Sequence, residues 1–188
     1  AWADRGQEIS VAQFNVTALE AVQHVPAWPT RPALEPNEPR ITLGDSQFDA
    51  RTGRLLRLYG IAIDGPRLEL WRAPTDNDRS SFRGSFELAT PEDTHGEGVP
   101  GPSSEQRWRE RGLDRLVHRV DQIQYDHDQL LTQVRVGSAA SNLFVDVAYH
   151  WWLTDGLALL VDIVPSPGWD CTWPRVGVRF DLPAELRH

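Results

Sequence analysis

Residues 143–163 read LFVDVAYHWWLTDGLALLVDI. Leu143, Val145, Val147, Tyr149, Trp151 and Leu153 recur at every second position. Period two puts them on one face of a β-strand, because successive strand side chains alternate between faces. Thr154-Asp155-Gly156 supplies turn chemistry, and Leu157, Leu159, Val161 and Ile163 resume the apolar face beyond it. The pattern predicts an antiparallel hairpin with one face on a core.

Working outward, Val176, Val178, Phe180 and Leu182 alternate with Arg175, Gly177, Arg179 and Asp181, which predicts another strand. Upstream, Gln47 to Ala50 and Arg54 to Ile63 read as strands around the turn Arg51-Thr52-Gly53. Asp64-Gly65-Pro66 reads as a further turn, and Leu68 to Trp71 as a strand. One short helix is expected: Ser103 with Gln106 forms a capping box, Glu105 to Arg111 the body, Trp108 the anchor and Gly112 the stop. Residues 79–104, rich in Ser, Gly, Pro and acids, read as a long irregular loop. Without βαβ alternation or an internal repeat, the expected fold is all-β, an antiparallel β-sandwich with one short helix.

Before the sandwich, Ile9 to Val16 reads as a strand. Pro26, Pro29, Pro32, Pro36 and Pro39 follow, and such spacing excludes both a helix and a central strand. The expected organisation is therefore the last strand of a preceding domain (1–20), a stiff linker (21–39) and the sandwich (40–188). The chain has no Met, so it is expected to be a segment of something longer.

A net charge of -8 and a pI near 5.2 argue against nucleic-acid and anionic-membrane surfaces. No apolar run approaches the ~20 residues of a membrane helix. No secretory leader is visible, so the sequon Asn15-Val16-Thr17 carries no weight and the expected location is cytoplasmic. Cys171 is the single cysteine and reads as a small apolar packing residue, with no internal disulfide available.

The chemistry-bearing stretch is Leu70-Trp71-Arg72-Ala73-Pro74-Thr75-Asp76-Asn77-Asp78. Its polar groups suit gripping sugar hydroxyls, ordering a loop or binding a hard cation. Asp76, Asp78, Ser80 and Glu87 fit four positions of an EF-hand loop, but Ser81 stands where the sharp turn needs Gly and the flanks are strand-like. Glycoside hydrolysis needs two carboxylates about 5–10 Å apart, one of them with a raised pKa. Asp76 and Asp78 satisfy the distance on an extended segment, but no apolar pocket surrounds either. The alternative is that these groups cap backbone amides and pair with Arg72, pinning the start of the loop.

Eight tryptophans raise the question of sugar-stacking platforms, for which Trp151 or Trp152, Trp169 and Trp173 are candidates against a simpler role in packing. The histidines His24, His95, His118, His127, His150 and His188 lack metal-ligand spacing, and His127 in a polar turn is expected to be solvated.

Leu70 to Asp78 resembles the Trp-Arg-Ala-Pro-Thr-Asp-Asn-Asp motif of family-2 β-galactosidases of the lactose-operon type. Phe48 to Tyr59 is similar to that family's hairpin, and Trp108 with Gly112-Leu113-Asp114-Arg115 to its short helix. Pro174-Arg175-Val176-Gly177-Val178-Arg179-Phe180 resembles its Pro-Arg-Ile-Gly strand, and Trp2 to Phe14 the closing strand of the domain before it. The resemblance covers nearly the whole chain.

It implies that residues 1–20 end an immunoglobulin-like domain. Residues from about 40 would begin a C-terminal β-supersandwich shared with galactose mutarotases. It also places both catalytic Glu residues in a TIM barrel outside this chain, and an aromatic sugar-site residue past His188. The parent's Mg and Na would also lie outside it, leaving no cofactor here. Arg72, Asp76, Asn77 and Asp78 transfer as motif residues, as loop anchor or substrate-side rim. The implied partners are the rest of the β-galactosidase chain and, through it, galactosides. Open strand edges predict some self-association. Two rival readings stand: a free-standing carbohydrate-binding module using an exposed Trp such as Trp169, and a mutarotase-like enzyme that needs His and Glu in one cleft.

Overall fold

The structure is a computed structural model that describes residues 39–79, 101–139 and 141–184. The expected strand at Ile9 to Val16, the linker up to Pro36 and the body of the 79–104 loop lie outside the described residues.

Nine strands form two antiparallel sheets among the described residues. They are β1 (Arg40–Leu43), β2 (Ser46–Asp49), β3 (Leu55–Leu58), β4 (Ile61–Glu69), β5 (Val117–Asp126), β6 (Gln129–Gly137), β7 (Phe144–Leu153), β8 (Leu157–Pro165) and β9 (Gly177–Asp181). One sheet runs β1-β2-β3-β4-β9 and the other β5-β6-β7-β8. The all-β antiparallel expectation holds.

The β7–β8 hairpin has the register its alternation demands, with Tyr149 opposite Val161 and Leu153 opposite Leu157. Val145, Val147, Tyr149 and Trp151 are buried, as period two requires. This row feeds two apolar clusters. One joins Leu68, Leu70, Trp108 and Leu113 to Val134, Val136, Val145, Val147 and Tyr149. The other joins Ile41, Leu43, Phe48 and Leu55 to Leu130 and Trp151. Phe48 meets Trp151 edge-on at 5.4 Å, locking the sheets together at that end.

Several local expectations need correction. Arg54 to Ile63 is not one strand. Tyr59 (φ 47°) and Gly60 (φ 84°) form a two-residue hairpin turn with Leu58 opposite Ile61. The sequence signal is weak there because Tyr rather than Asn or Asp fills the first left-handed position. Asp64-Gly65-Pro66 is not a turn but an irregularity inside β4. β4 lies between β3 and β9: its pairing with β3 ends with Leu55 opposite Gly65, and its pairing with β9, which includes Asp64 opposite Asp181, shifts register before Arg67 opposite Arg179. Pro66 has no N–H to give a ladder and suits the point where the register with β9 shifts. Gly65 is required by close approach: a Cβ there would stand 2.7 Å from the Phe180 ring and from the Arg179 carbonyl oxygen.

The helix appears as α2 (Ser104–Glu110). Ser103 Oγ accepts the Gln106 N–H at 3.2 Å, Trp108 is buried and Gly112 follows at φ 72°. The Gln106 side-chain N–H donates to Glu110 at 2.8 Å, one turn further along the helix. Two further helical pieces exceed the single one expected: α1 (Asp76–Arg79) inside the chemistry-bearing stretch, and a 3-10 turn at Leu113–Arg115.

Candidate functional site

β4 ends at Glu69, and Leu70, with no exposed surface, sinks into the first core cluster. Trp71 follows and meets Trp108 of α2 edge-on at 6.3 Å. From this buried base Arg72 to Asp78 turn outward into α1. The Asp78 and Arg79 N–H groups donate to the Thr75 carbonyl at 3.1 and 3.2 Å. The Asp78 carboxylate in turn accepts the Thr75 N–H at 2.7 Å and its hydroxyl at 2.8 Å. Thr75-x-x-Asp78 is thus a helix-start pattern that the sequence carries and that an extended reading passes over.

Arg72 closes on Asp78 as a two-pronged fork, Nη1 to Oδ2 at 2.6 Å and Nη2 to Oδ1 at 3.0 Å. Its remaining donors reach the Ala73 carbonyl at 3.1 Å and the Pro174 carbonyl at 3.2 Å. The guanidinium also sits 5.1 Å from the Trp108 ring centre. One side chain therefore ties the stretch at 70–78 to the segment entering β9, about a hundred residues later.

The fork holds the Asp78 carboxyl down to about 2: the Arg72 bonds dominate, burial opposes them, and the Thr75 bonds add. A group ionised that firmly cannot act as a general acid near neutral pH. Its oxygens are filled by Arg72 and Thr75, which leaves them unavailable to calcium. Asp76 is fully exposed, with Arg79 Nη1 at 4.0 Å, and Asn77 is exposed too. The helical turn separates what an extended strand would align: Asp78 faces Arg72 while Asp76 faces solvent. Of the four candidates, the structure joins Arg72 and Asp78 and leaves Asp76 and Asn77 on the outer side of α1. Among the described residues no group of three or more His, Cys, Asp or Glu side chains is arranged to hold a metal.

The surroundings of this corner are tied to it. Glu105 accepts from Arg79 at 3.2 Å and from Arg109 at 2.9 Å, joining α1 to α2. Arg109 lies 5.2 Å from the Trp71 ring centre. Arg111 forks onto the Asp170 carboxylate, and Arg107 donates to the Asp170 carbonyl at 2.8 Å. These ties link residues far apart in sequence and have no local signature.

The aromatic candidates act in packing. Trp169 meets Trp173 edge-on at 5.4 Å and donates its indole N–H to the Phe144 carbonyl at 3.2 Å. Both rest against the first core cluster, as does Cys171. Trp151 is buried and Trp152 leans on His150. His127 is exposed, as its turn predicted.

Residues 44–188 match the family model of the beta galactosidase small chain. The chain is also 41% identical, over 187 residues and 99% of its length, to a beta-galactosidase of Arthrobacter sp. (strain B7). It spans 18% of that relative's length. With the match covering well over half its residues, the chain belongs to the β-galactosidase small-chain family.

Proposed function

We propose that this chain is the scaffold and active-site rim of a β-galactosidase whose two catalytic carboxylates lie elsewhere in a longer polypeptide. The parent reaction is retaining hydrolysis of terminal β-galactosides, by way of a covalent galactosyl-enzyme. Its partners in the enzyme are a TIM barrel and immunoglobulin-like domains, and its location is the cytoplasm. The observation that carries the reading is the state of the two carboxylates in the 70–78 stretch. Asp78 is neutralised by Arg72 and held near a pKa of about 2, and Asp76 stands in open solvent. The Arg72 fork keeps Asp78 ionised, so it cannot serve as the acid of an acid/base pair. What the residues do form is a rigid corner on buried Leu70 and Trp108.

The 188-residue chain is therefore expected to hydrolyse a chromogenic β-galactoside no faster than buffer, and to bind galactose more weakly than about 1 mM by calorimetric titration. Turnover by the isolated chain contradicts the division of labour. Tighter sugar binding favours a carbohydrate-binding module instead.

A further inference from the structure

A pocket of about 250 Å³ opens between the two sheets and shares no residue with the 70–78 stretch. Its buried wall is formed by Gly53, Pro66, Val134 and Tyr149. Arg54, Arg67, His118 and Val120, all half-buried, form the side towards solvent. The pocket thus joins a largely apolar inner wall to a cationic mouth.

The chain as a whole carries -8, yet the lining holds two guanidinium groups and no carboxylate. Two carboxylates reach the arginines from outside the lining. Asp64 accepts from Arg54 Nη1 at 3.1 Å and from Arg67 Nη2 at 3.2 Å, and Asp181 also accepts from Arg67 Nη2. Much donor capacity remains. Arg67 Nε is buried and has no hydrogen-bond partner among the described residues, and all the bonds of that guanidinium run through Nη2. Arg54 spends Nε on the Thr52 hydroxyl at 3.4 Å and has Nη2 to spare. The Tyr149 oxygen takes the Leu68 N–H, while its own O–H meets no acceptor among the described residues. On the accepting side, the Thr52 hydroxyl is already engaged by Arg54 and donates to Asp49. Neutral His118 gives its Nε2 proton to the Leu68 carbonyl and keeps one ring nitrogen as an acceptor.

Unspent donors around a pocket select a ligand rich in acceptors. Two cations at the mouth make a carboxylate the best acceptor, since charge-assisted hydrogen bonds are about twice as strong as neutral ones. Pro66, Val120 and Val134 offer a bare anion only the cost of desolvation, so the ligand needs an apolar part to lie on them. The volume falls short of the roughly 300–1,000 Å³ typical of drug-sized ligands, so the molecule is small. We propose that this inter-sheet pocket binds a small organic carboxylate. Its carboxylate rests on Arg54 and Arg67, its apolar body lies against Pro66, Val120 and Val134, and the Tyr149 hydroxyl is a further donor in the same pocket. The site stands apart from the 70–78 candidates, so it holds whichever reaction the parent performs.

Calorimetric titration of the full-length enzyme carrying this chain tests it, with benzoate, benzamide and inorganic phosphate as probes. Benzoate is expected to bind with a Kd of about 1 mM. Benzamide keeps the shape without the charge, and phosphate keeps a charge without the apolar body. Each is expected to bind about 10-fold more weakly than benzoate. Absence of benzoate binding at about 10 mM overturns the proposal, and so does benzamide or phosphate binding as tightly as benzoate. Arg54→Gln and Arg67→Gln are each expected to weaken benzoate about 10-fold. Arg119→Gln, which removes an exposed charge outside the pocket, is expected to leave its affinity unchanged. Val120→Phe fills the pocket without altering charge and is expected to weaken benzoate as much as the arginine variants do. Each variant is first checked for a cooperative unfolding transition. Wild-type affinity in a folded Arg54, Arg67 or Val120 variant places the benzoate elsewhere and overturns the proposal, and the three substitutions keep it testable should one of them fail to fold.

Discussion

The phenol oxygen of Tyr149 on β7 accepts the backbone N–H of Leu68 on β4 at 2.7 Å, from the opposite sheet. His118 Nε2 on β5 donates to the carbonyl of the same residue at 3.1 Å. A carbonyl only accepts, so the bond fixes the proton on Nε2. β3 ends its pairing with β4 at Gly65, and beyond that point two side chains satisfy the β4 edge that a neighbouring strand would otherwise pair.

Tyr149→Phe keeps the ring and strands the Leu68 N–H in the core. The expected loss is about 1–3 kcal/mol, the cost of an unpaired buried donor, read by denaturant titration. An unchanged midpoint contradicts the role of the bond. Burial pushes the Tyr149 phenol up to about 12, with the Leu68 bond opposing. A raised folded pKa means this stability is whole below pH 10 and is lost as pH climbs towards 12. The alkaline loss is expected in the wild type and absent in Tyr149→Phe.

His118 has its pKa lowered, chiefly by burial and further by Arg67 and Arg54, against the Leu68 carbonyl and Glu69. Its neutral form is the native one. The unfolded chain takes up the proton first as pH falls below 6.5, so stability is full above that value and declines beneath it until the folded imidazole protonates too. His118→Gln retains an N–H for Leu68 and is expected to flatten this part of the pH–stability curve. A curve with the wild-type slope would assign the acid sensitivity to other groups.

Asp78 titrates in the other direction from Tyr149. Its folded pKa is about 2 against 3.8 for the free carboxyl, so the fork stabilises the fold above pH 3.8 and fails as pH falls towards 2. Asp78→Asn is expected to cost about 1–2 kcal/mol at neutral pH, a value discounted for the third of Arg72 that water reaches. It also removes the acid limb between those two pH values. Equal stability of variant and wild type at pH 7, by thermal or urea unfolding, contradicts the anchoring role.

Gly53 closes the β2–β3 turn at φ +66°, and a Cβ there would stand 1.9 Å from the Thr132 hydroxyl. Gly53→Ala combines left-handed backbone strain with a clash in a closed interior. The expected cost is about 2–4 kcal/mol, and the double variant with Thr132→Ala is expected to recover part of it. Strict additivity of the two substitutions contradicts the contact.

What the sequence made legible was the long-period signal. Val145 to Leu153 and Leu157 to Ile163 alternate without interruption, and the hairpin followed. The β5–β6 hairpin escaped because its register shifts between Val120 and Gln122, which breaks the alternation across Val120 and Ile123. Leu58-Tyr59-Gly60-Ile61 hid a turn, since nothing marks Tyr59 as a residue that adopts φ 47°. In the candidate site, the pairing of Arg72 with Asp78 could be read from their proximity. The Pro174 carbonyl that also holds Arg72, and the Asp170 that holds Arg111, lie 102 and 59 residues away and follow only from the packed fold.

The most direct test is the kcat of the full-length enzyme carrying Asp76→Asn and Asp78→Asn together, measured on a chromogenic β-galactoside below the unfolding temperature of the variant. An anchoring corner predicts a kcat within about 10-fold of wild type, with the loss appearing in stability instead. A fall of about 1,000-fold or more in a folded variant, as expected for removing a carboxylate that does the chemistry, would contradict it.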